Sequence, residues 1–300
     1  MRGCNEQKFP NFTRKKFLNM SPTLQQIKEQ QRESWNKFSS GWKKWDRLVI
    51  PWLEPVGTSM LSGINLQAHS RVLDVATGTG EPGLTAATMV PKGMVTGTDL
   101  AEDMLAIASE NARRRGIENY ETKNCDAAAI PFSSNYFDAI LCRNGFMFFP
   151  DVMLTLNELV RTLKPGAYLS ISVWGSPEKN NWATTIINAI SRYVPIPKQS
   201  IDSPGLFRCA VPGYMHERFT LARLKNVSVE EVSGTISFTS PDEYWEFVTE
   251  VSAPVVALLS KADDSVRAKI QQLVTDTLNH HSQGDPVQFT WTALVIKGNK

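Results

Sequence analysis

Short apolar runs alternate with amphipathic stretches through the middle of this 300-residue chain. The pattern predicts strands at 71–76, 94–99, 137–142 and 167–174, and a weaker, more polar strand at 119–124. Residues 101–115 between them have helical periodicity, with Gly116 as the expected C-cap. A further helix is expected to begin at Asp151 and to be stopped by residues 164–166, which read Lys-Pro-Gly. Strands that alternate with helices predict βαβ units and a parallel sheet.

A helical pattern also precedes the first strand. Residues 21–50 carry large apolar side chains at helix-like steps, and Ser21 and Pro22 suit a helix start. Residues 1–20 hold five basic residues, one acid and no apolar run, which predicts a disordered leader rather than a secretory signal. A transit peptide and an RNA-contacting arm are the alternatives for this leader.

The regular alternation ends after Trp174. The pattern beyond it predicts helices at 182–193, near 213–224 and near 265–280, and strands at about 226–238 and at 287–296. Ser240 and Glu243 have capping-box spacing, which predicts another helix start. Two long segments, about 175–212 and 240–285, thus interrupt the strand pattern, and we expect them to form caps over the strand ends.

Composition excludes several classes of protein. The 32 basic and 30 acidic residues give a net charge of +2, without the basic excess of a nucleic-acid or membrane-surface protein. No apolar run approaches the roughly 18 residues that cross a bilayer. The four cysteines form no C-x-x-C pair and no zinc-type cluster with histidine. We therefore expect reduced thiols, no metal site and a cytoplasmic protein, with a homodimer left open.

The first chemical signal is a glycine-rich turn after the first strand. Gly78, Gly80 and Gly83 fit the pattern G-x-G-x-x-G, which dinucleotide-binding proteins use to hold a pyrophosphate. Asp74 and Glu81 add two carboxylates to the same turn, and both would repel a pyrophosphate. The turn therefore favours a cofactor that carries positive charge.

Two acids follow the next strands. Asp99 ends the second strand, where a carboxylate can accept hydrogen bonds from both ribose hydroxyls of an adenosine. Asp126 follows the third strand and can accept from an adenine amino group, with a solvated loop acid as the alternative. Met104 can pack on the adenine ring or simply between helix and sheet.

Four ordered segments resemble the successive motifs of one enzyme family. They read VLDVATGTG, TGTDLAEDML, CDAAAIPFSSNYFDAILCRNGFMFFPD and ELVRTLKPGAYLSISVW. Over about residues 35–175 the chain resembles the class I S-adenosylmethionine-dependent methyltransferases, and most of all the ubiquinone/menaquinone-biosynthesis group. The resemblance implies S-adenosylmethionine as the cofactor. It also implies a Rossmann-like α/β fold: a doubly wound, mostly parallel seven-stranded sheet whose last strand is antiparallel.

The resemblance also implies the cofactor-binding residues. In the family, the positions that match Asp74, Gly78, Thr79, Gly80, Asp99, Asp126, Ala127 and Arg143 surround the cofactor, and Leu100 and Met104 complete the predicted set. The segment with Trp42 and Trp45 resembles a helix that covers the cofactor, with core packing as the alternative. Residues 21–60 are thus expected to cover a methyltransferase domain of residues 61–300. Ala76 replaces a glycine of many relatives.

The acceptor of the methyl group is expected at the carboxyl ends of the strands. The candidate residues for its pocket are Trp45, Asn144, Phe146, Trp174 and Trp245. These side chains favour a small, fairly apolar or aromatic molecule over nucleic acid, although each aromatic residue also suits a core. The loop RNGFMFF after the fourth strand differs from the usual loop of the quinone enzymes. This difference argues against a quinone substrate, and it leaves the expected cofactor unchanged.

The expected reaction is an in-line displacement, in which the protein aligns the acceptor and excludes water. No Ser/His/Asp set or carboxylate pair stands out, so the sequence names no catalytic residue. An NAD-dependent Rossmann enzyme is the first alternative, since it shares the glycine turn and Asp99, but it leaves Asp74 and Glu81 unexplained. A non-catalytic binding protein with a methyltransferase fold is the second alternative, although such a protein would not need the intact turn and ribose acid.

Overall fold

The computed structural model describes residues 23–196, 201, 203–282 and 285–300. The predicted leader at 1–20 and the predicted helix start at Ser21 and Pro22 lie outside the described residues. Within this part of the chain, no helix is long and apolar enough to cross a membrane.

Seven strands and ten α-helices make up the regular structure of the described residues. The strands are β1 (Arg71–Val75), β2 (Met94–Asp99), β3 (Tyr120–Asn124), β4 (Phe137–Arg143), β5 (Leu163–Trp174), β6 (Lys225–Phe238) and β7 (Val287–Asn299). The first five helices are α1 (Leu24–Lys44), α2 (Asp46–Leu61), α3 (Gly83–Met89), α4 (Glu102–Arg114) and α5 (Val152–Thr162). The others are α6 (Asn181–Ser191), α7 (Tyr214–Leu221), α8 (Pro241–Val251), α9 (Ala253–Leu259) and α10 (Asp264–Ser282).

All seven strands form one sheet in the order β3-β2-β1-β4-β5-β7-β6. Strands β1 to β5 pair in parallel, and β7 runs antiparallel to both of its neighbours. This confirms the predicted doubly wound, mostly parallel sheet with an antiparallel last strand. The strand order reverses between β1 and β4, so the carboxyl ends of these two strands open a crevice where ligands bind in such folds.

The core lies on both faces of the central strands. Leu73 of β1 and Ile140 and Leu141 of β4 have no exposed surface, which explains why these strands read as continuous apolar runs rather than alternating ones. Helix α5 begins as predicted, because the side chain of Asp151 accepts a hydrogen bond from the backbone N–H of Leu154 at 2.9 Å.

Some element boundaries differ from the prediction. Helix α5 ends at Thr162, and residues 164–166 already belong to β5, which starts four residues before the predicted 167. The helical stretch predicted at 21–50 contains α1 and the start of α2, which meet at Trp45. The start of α1 is capped by Thr23, whose hydroxyl accepts from the N–H of Gln26 at 3.2 Å. Helix α9 has no counterpart in the sequence prediction.

The two segments that interrupt the strand pattern are helical. Helix α6 follows β5, and α8, α9 and α10 connect β6 to β7. Helix α8 starts at the predicted cap, where the hydroxyl of Ser240 accepts from the N–H of Glu243 at 3.1 Å. The assignment of these segments as caps, with boundaries near 175–212 and 240–285, stays a prediction.

Candidate functional site

One large cavity opens at the carboxyl ends of β1, β2, β4 and β5, beneath α1 and α2. One side of it, which we call the acidic half, is lined by Gly78, Thr79, Glu81, Asp99, Leu100, Met104, Asp126, Ala127 and Arg143. The other side, which we call the tryptophan half, is lined by Trp35, Trp42, Trp52, Trp174 and Trp182 together with Asn144 and Phe148. Eight of the ten predicted cofactor residues therefore line one cavity.

Asp99 is tied to the glycine-rich turn in the acidic half. Its Oδ2 accepts a hydrogen bond from the N–H of Gly78 at 3.1 Å, and its Oδ1 accepts from the N–H of Ala101 at 2.9 Å. Burial raises the pKa of Asp99, and these backbone donors oppose the rise. Gly78 has a φ of +55°, and a Cβ at this position would meet no atom within 4 Å. The turn therefore leaves open space for a ligand beside the Asp99 carboxylate.

The other two predicted cofactor residues, Asp74 and Gly80, lie behind the cavity wall. Asp74 has no exposed surface, and its Oδ2 accepts from the Thr77 hydroxyl at 2.5 Å and from the N–H of Gly83 at 3.0 Å. A Cβ on Gly83 would lie 2.6 Å from the same oxygen, so this glycine allows the carboxylate to reach the turn. Asp74 Oδ1 has no partner among the described residues, and burial raises the pKa of Asp74 to about 7. Asp74 thus shapes the turn from inside the protein.

Glu81 lines the cavity but is already paired. Its carboxylate forms an ion pair with Arg115 and accepts from the hydroxyl of Thr85 at 2.7 Å. Glu81 was expected to attract a cationic ligand. The ion pair with Arg115 weakens that attraction, because it compensates part of the negative charge of Glu81.

Asp126 and Arg143 complete the charged lining. Asp126 Oδ1 accepts from the N–H of Ala128 at 2.9 Å, and its Oδ2 forms an ion pair with Lys28 of α1. Burial lowers the pKa of Arg143, while the negative charges of Glu81 and Asp74 raise it. Arg143 forms no hydrogen bond or ion pair with any described residue. Its guanidinium is therefore a charged group in this cavity that is still available to a ligand.

The tryptophan half is a packed aromatic wall. Trp52 stacks on Trp174 with ring centroids 5.4 Å apart, and Trp182 meets the edge of Trp52 at 5.1 Å. Trp35 of α1 packs edge-on against Phe148, with the ring centroids 5.3 Å apart. Such a surface suits a flat, apolar ring, because aromatic pairs add geometry-dependent attraction to the burial of area.

The indole N–H groups of this wall differ in their partners. Trp42 donates to the carbonyl of Val251 at 3.2 Å, and Trp182 donates to Asn180 Oδ1 at 3.1 Å. Trp52 Nε1 is sealed from water and has no partner in the described part of the chain. Trp174 Nε1 also has no partner there, but it is not sealed from water.

Asn144 follows β4 with a φ of +54°, a left-handed conformation that asparagine tolerates. Its Oδ1 accepts from the hydroxyl of Ser172 at 2.9 Å. Ser172 has no exposed surface, so its proton needs an acceptor, and this fixes the orientation of the Asn144 amide. The amide NH2 group of Asn144 is then free to donate into the cavity.

The structure brings Asn144 and Trp174 to the cavity but not the other three candidates for the acceptor pocket. Trp45 donates to Glu250 Oε2 at 2.6 Å and packs edge-on against Phe247. Phe146 is fully buried beneath the cavity, and Trp245 is half-buried on α8 outside the lining. From the segment at 240–285 the cavity receives Val251, Ser252 and Pro254 instead.

Lys28, Trp35, Trp52 and Trp182 line the cavity and were missing from the predicted site. The helical periodicity marked Trp35 as an apolar-face residue, but the sequence does not show that this face closes a cavity. The contact of Lys28 with Asp126 joins residues 98 positions apart, and no local pattern signals it.

Comparisons with known proteins find similarity to methyltransferases. Residues 66–193 match a family described as a methyltransferase domain. The chain is 41% identical over 113 residues to a demethylmenaquinone methyltransferase of Thermus thermophilus, covering 38% of this chain and 51% of that protein. It is 34% identical over 132 residues to the Listeria welshimeri protein of the same name, covering 44% of this chain and 56% of that protein. The chain thus spans about half the length of these curated relatives.

Two solved structures share the fold. The YcgJ protein from Bacillus subtilis has a TM-score of 0.55 at 21% identity, covering 82% of this chain and 98% of that one. A putative methyltransferase from Bacillus halodurans has a TM-score of 0.54 at 20% identity, covering 81% of this chain and 98% of that one.

Proposed function

We propose that this chain is a class I S-adenosylmethionine-dependent methyltransferase that transfers a methyl group to a small, fairly apolar or aromatic molecule. The observation that carries the proposal is the division of one cavity into an acidic half and a tryptophan half. A cofactor that holds the methyl group and an acceptor that receives it must meet, and two unlike surfaces in one cavity provide for both.

The acidic half fits the cofactor. Asp99 is placed to accept from ribose hydroxyls, and the open space beside Gly78 gives an adenosine room next to that carboxylate. Asp126 can accept from the adenine amino group, and Arg143 is an uncommitted cation for the cofactor carboxylate. When bound, S-adenosylmethionine supplies an activated methyl group together with its thioether leaving group.

The chain itself orients the acceptor and excludes water. The stacked rings of Trp52 and Trp174 offer a flat surface at the end of β5, and α1 closes the cavity from above with Trp35 and Trp42. Displacement of water from such a site favours an aligned encounter of two bound molecules. We propose that this alignment, rather than a dedicated base, is the main contribution of the protein.

The carboxylates of the lining support this view of the mechanism. Asp99 and Asp126 each accept hydrogen bonds at both oxygens, and Glu81 is held by Arg115. Asp151 accepts from the N–H of Leu154. None of these groups stands as an uncommitted base in the tryptophan half, so the preferred acceptor is one that arrives as a nucleophile without enzyme-assisted deprotonation.

The proposed acceptor class is a planar ring with few charges. The Thermus and Listeria relatives carry the name demethylmenaquinone methyltransferase, and a quinol ring is one member of this class. For this chain we propose the class of planar rings as a whole and not a quinol in particular, because the loop after β4 differs from that of the quinone enzymes.

Formation of S-adenosylhomocysteine tests the proposal. The full-length chain is incubated with S-adenosylmethionine and a panel of acceptors that pairs each hydroxylated aromatic ring with a saturated analogue of equal size. We expect product with at least one ring compound, a lower rate with its saturated partner, and loss of product in Asp99→Ala. Turnover with the saturated analogues alone would contradict the proposed acceptor class, and cofactor binding without turnover on any compound would contradict the proposed transfer.

A further inference from the structure

Helix α1 crosses the mouth of the cavity. Leu24, Lys28, Gln31, Trp35 and Trp42 project from it into the lining. Leu24 at its start is 47% exposed although it is apolar, so the first turn lies at the rim. The two halves of this helix are attached to the rest of the protein in different ways.

The C-terminal half of α1 is firmly attached to α8. Lys44 forms ion pairs with Glu246 and Glu250, and the indole of Trp42 donates to the carbonyl of Val251. Gly41 lies so close to α8 that a Cβ would be 2.1 Å from the backbone oxygen of Glu250. These contacts fix the position of the C-terminal half and exclude a sliding motion there.

The N-terminal half of α1, residues 24–35, has one polar attachment. The described side chains of this half make a single hydrogen bond to another part of the fold, from Lys28 Nζ to Asp126 Oδ2. The other side-chain bonds of this half stay within α1 and its N-cap Thr23, as in the pairs Arg32–Glu29 and Trp35–Gln31. Side chains of Lys28 and Asp126 are 21% and 25% exposed, so the ion pair is in contact with water.

Lys28 also occupies the carboxylate that a ligand would use. Asp126 Oδ1 accepts from the N–H of Ala128, and Oδ2 is paired with Lys28, so an adenine amino group that donates to Oδ2 meets the Lys28 ammonium there. A ligand that donates to Asp126 Oδ2 must therefore displace or share the Lys28 contact.

From this geometry we propose that Lys28 and Asp126 form a latch that holds the N-terminal half of α1 over the acidic half of the cavity, and that binding of an adenosine-containing cofactor opens it. The proposal rests on the proposed function, because it takes S-adenosylmethionine as the ligand of the acidic half. Lys28 then limits how fast the cofactor binds. The C-terminal half of α1, fixed to α8, serves as the base about which residues 24–35 move.

Stopped-flow tryptophan fluorescence tests the latch, since Trp35 and Trp42 lie beside the cofactor site. The association rate of S-adenosylmethionine is measured on the full chain and on Lys28→Met, which keeps the apolar stem of the side chain but not its charge. Loss of a partly exposed ion pair should raise the association rate about two- to fivefold. The ratio of the two rates should fall as salt is added, because salt screens the latch of the native chain.

Three variants act as controls. Lys28→Arg keeps the charge and should behave as the native chain, and Lys28→Ala should show the same direction as Lys28→Met. Lys43→Met removes an exposed ion pair with Glu110 from the same helix, outside the cavity lining, and should leave the rate unchanged.

The outcomes separate the two proposals. An equal or slower association in both Lys28→Met and Lys28→Ala, with melting temperatures like that of the native chain, overturns the latch and leaves the proposed function standing. Acceleration by Lys43→Met to the same extent also overturns it, because the effect would then be one of helix charge. Failure of every form to bind S-adenosylmethionine overturns the proposed function and the latch with it.

Discussion

Trp52 of α2 and Trp174 at the end of β5 stack with their ring centroids 5.4 Å apart and an angle of 24° between the rings. This contact joins the N-terminal helices to the strand end at which the cavity opens. The two indoles differ in one respect: Nε1 of Trp52 is sealed from water without a partner among the described residues, and Nε1 of Trp174 is not sealed. The same pair thus links the stability of the fold to the chemistry of the site.

The sealed N–H of Trp52 predicts a small effect of its removal. Trp52→Phe removes a buried donor that has no acceptor among the described residues, so its cost in free energy of unfolding should come from the lost ring volume alone. Trp182→Phe is the matched change, and it also removes a hydrogen bond to Asn180 Oδ1, which keeps its bond from the N–H of Thr292, so it should cost about 0.5–1.5 kcal/mol more. Denaturant unfolding of both variants measures the difference, and a larger loss in Trp52→Phe than in Trp182→Phe would show that the sealed group is bonded after all.

Asp99 should control cofactor affinity. Asp99→Ala removes hydrogen bonds from an ionised acceptor and should weaken S-adenosylmethionine binding by about 1.5–3 kcal/mol, roughly tenfold or more. Asp103→Ala removes an exposed acid four residues further on and should leave the affinity near the native value. Calorimetry on the folded variants decides, and equal affinities for Asp99→Ala and the native chain would remove Asp99 from the site.

Asp74 predicts a pH dependence of stability. Burial raises the pKa of Asp74 to about 7 in the folded protein, above the value of 3.8 for the free side chain. Between pH 3.8 and about pH 7 the folded state therefore keeps a proton that the unfolded state has lost. Because the folded state then holds more protons than the unfolded state, this group makes stability fall as pH rises from about 4 to about 7. In Asp74→Asn the group no longer titrates, and the contribution disappears.

The measurement is the free energy of unfolding of both proteins between pH 4 and pH 7. The stability of Asp74→Asn relative to the native chain should increase by about 2–4 kcal/mol across this interval. A constant difference across the interval would mean that Asp74 keeps an ordinary pKa. A decrease would mean that the carboxylate is held ionised.

The residues that line the cavity predict which tryptophans of the helical segments affect binding of the acceptor. Trp42→Leu changes the tryptophan half and should raise the KM for the acceptor about fivefold or more, with a smaller effect on cofactor affinity. Trp245→Leu lies outside the lining and should leave both values unchanged. Acceptor kinetics on the two variants test this, and equal effects would show that Trp245 reaches the acceptor by a route that the cavity does not reveal.

Much of the central domain follows from local sequence patterns. Strands β1, β2 and β4 are short, largely buried segments bounded by turns, and Asp151 and Ser240 cap the helices that their side chains predict. Residues that follow parallel strands meet at one edge of the sheet, which explains why Asp99, Asp126 and Arg143 line one cavity. These features depend on contacts near in sequence or on the order of the strands.

The tryptophan half did not follow from such patterns. Trp52 and Trp182 lie on helices whose apolar faces read as core, and only their packing against Trp174 makes them part of a cavity wall. Trp45 and Trp245 show the reverse case: both suggested a pocket, but Trp45 donates to Glu250 of α8 and Trp245 is half-buried outside the cavity lining. Helix phase and long-range packing decide these cases, and neither is encoded within a single segment.

Binding of S-adenosylmethionine, measured by calorimetry with NADH as the competing ligand, tests the central claim most directly. The acidic half should bind S-adenosylmethionine saturably, S-adenosylhomocysteine should compete with it, and NADH should not. Binding of NADH in the absence of any binding of S-adenosylmethionine would contradict the account.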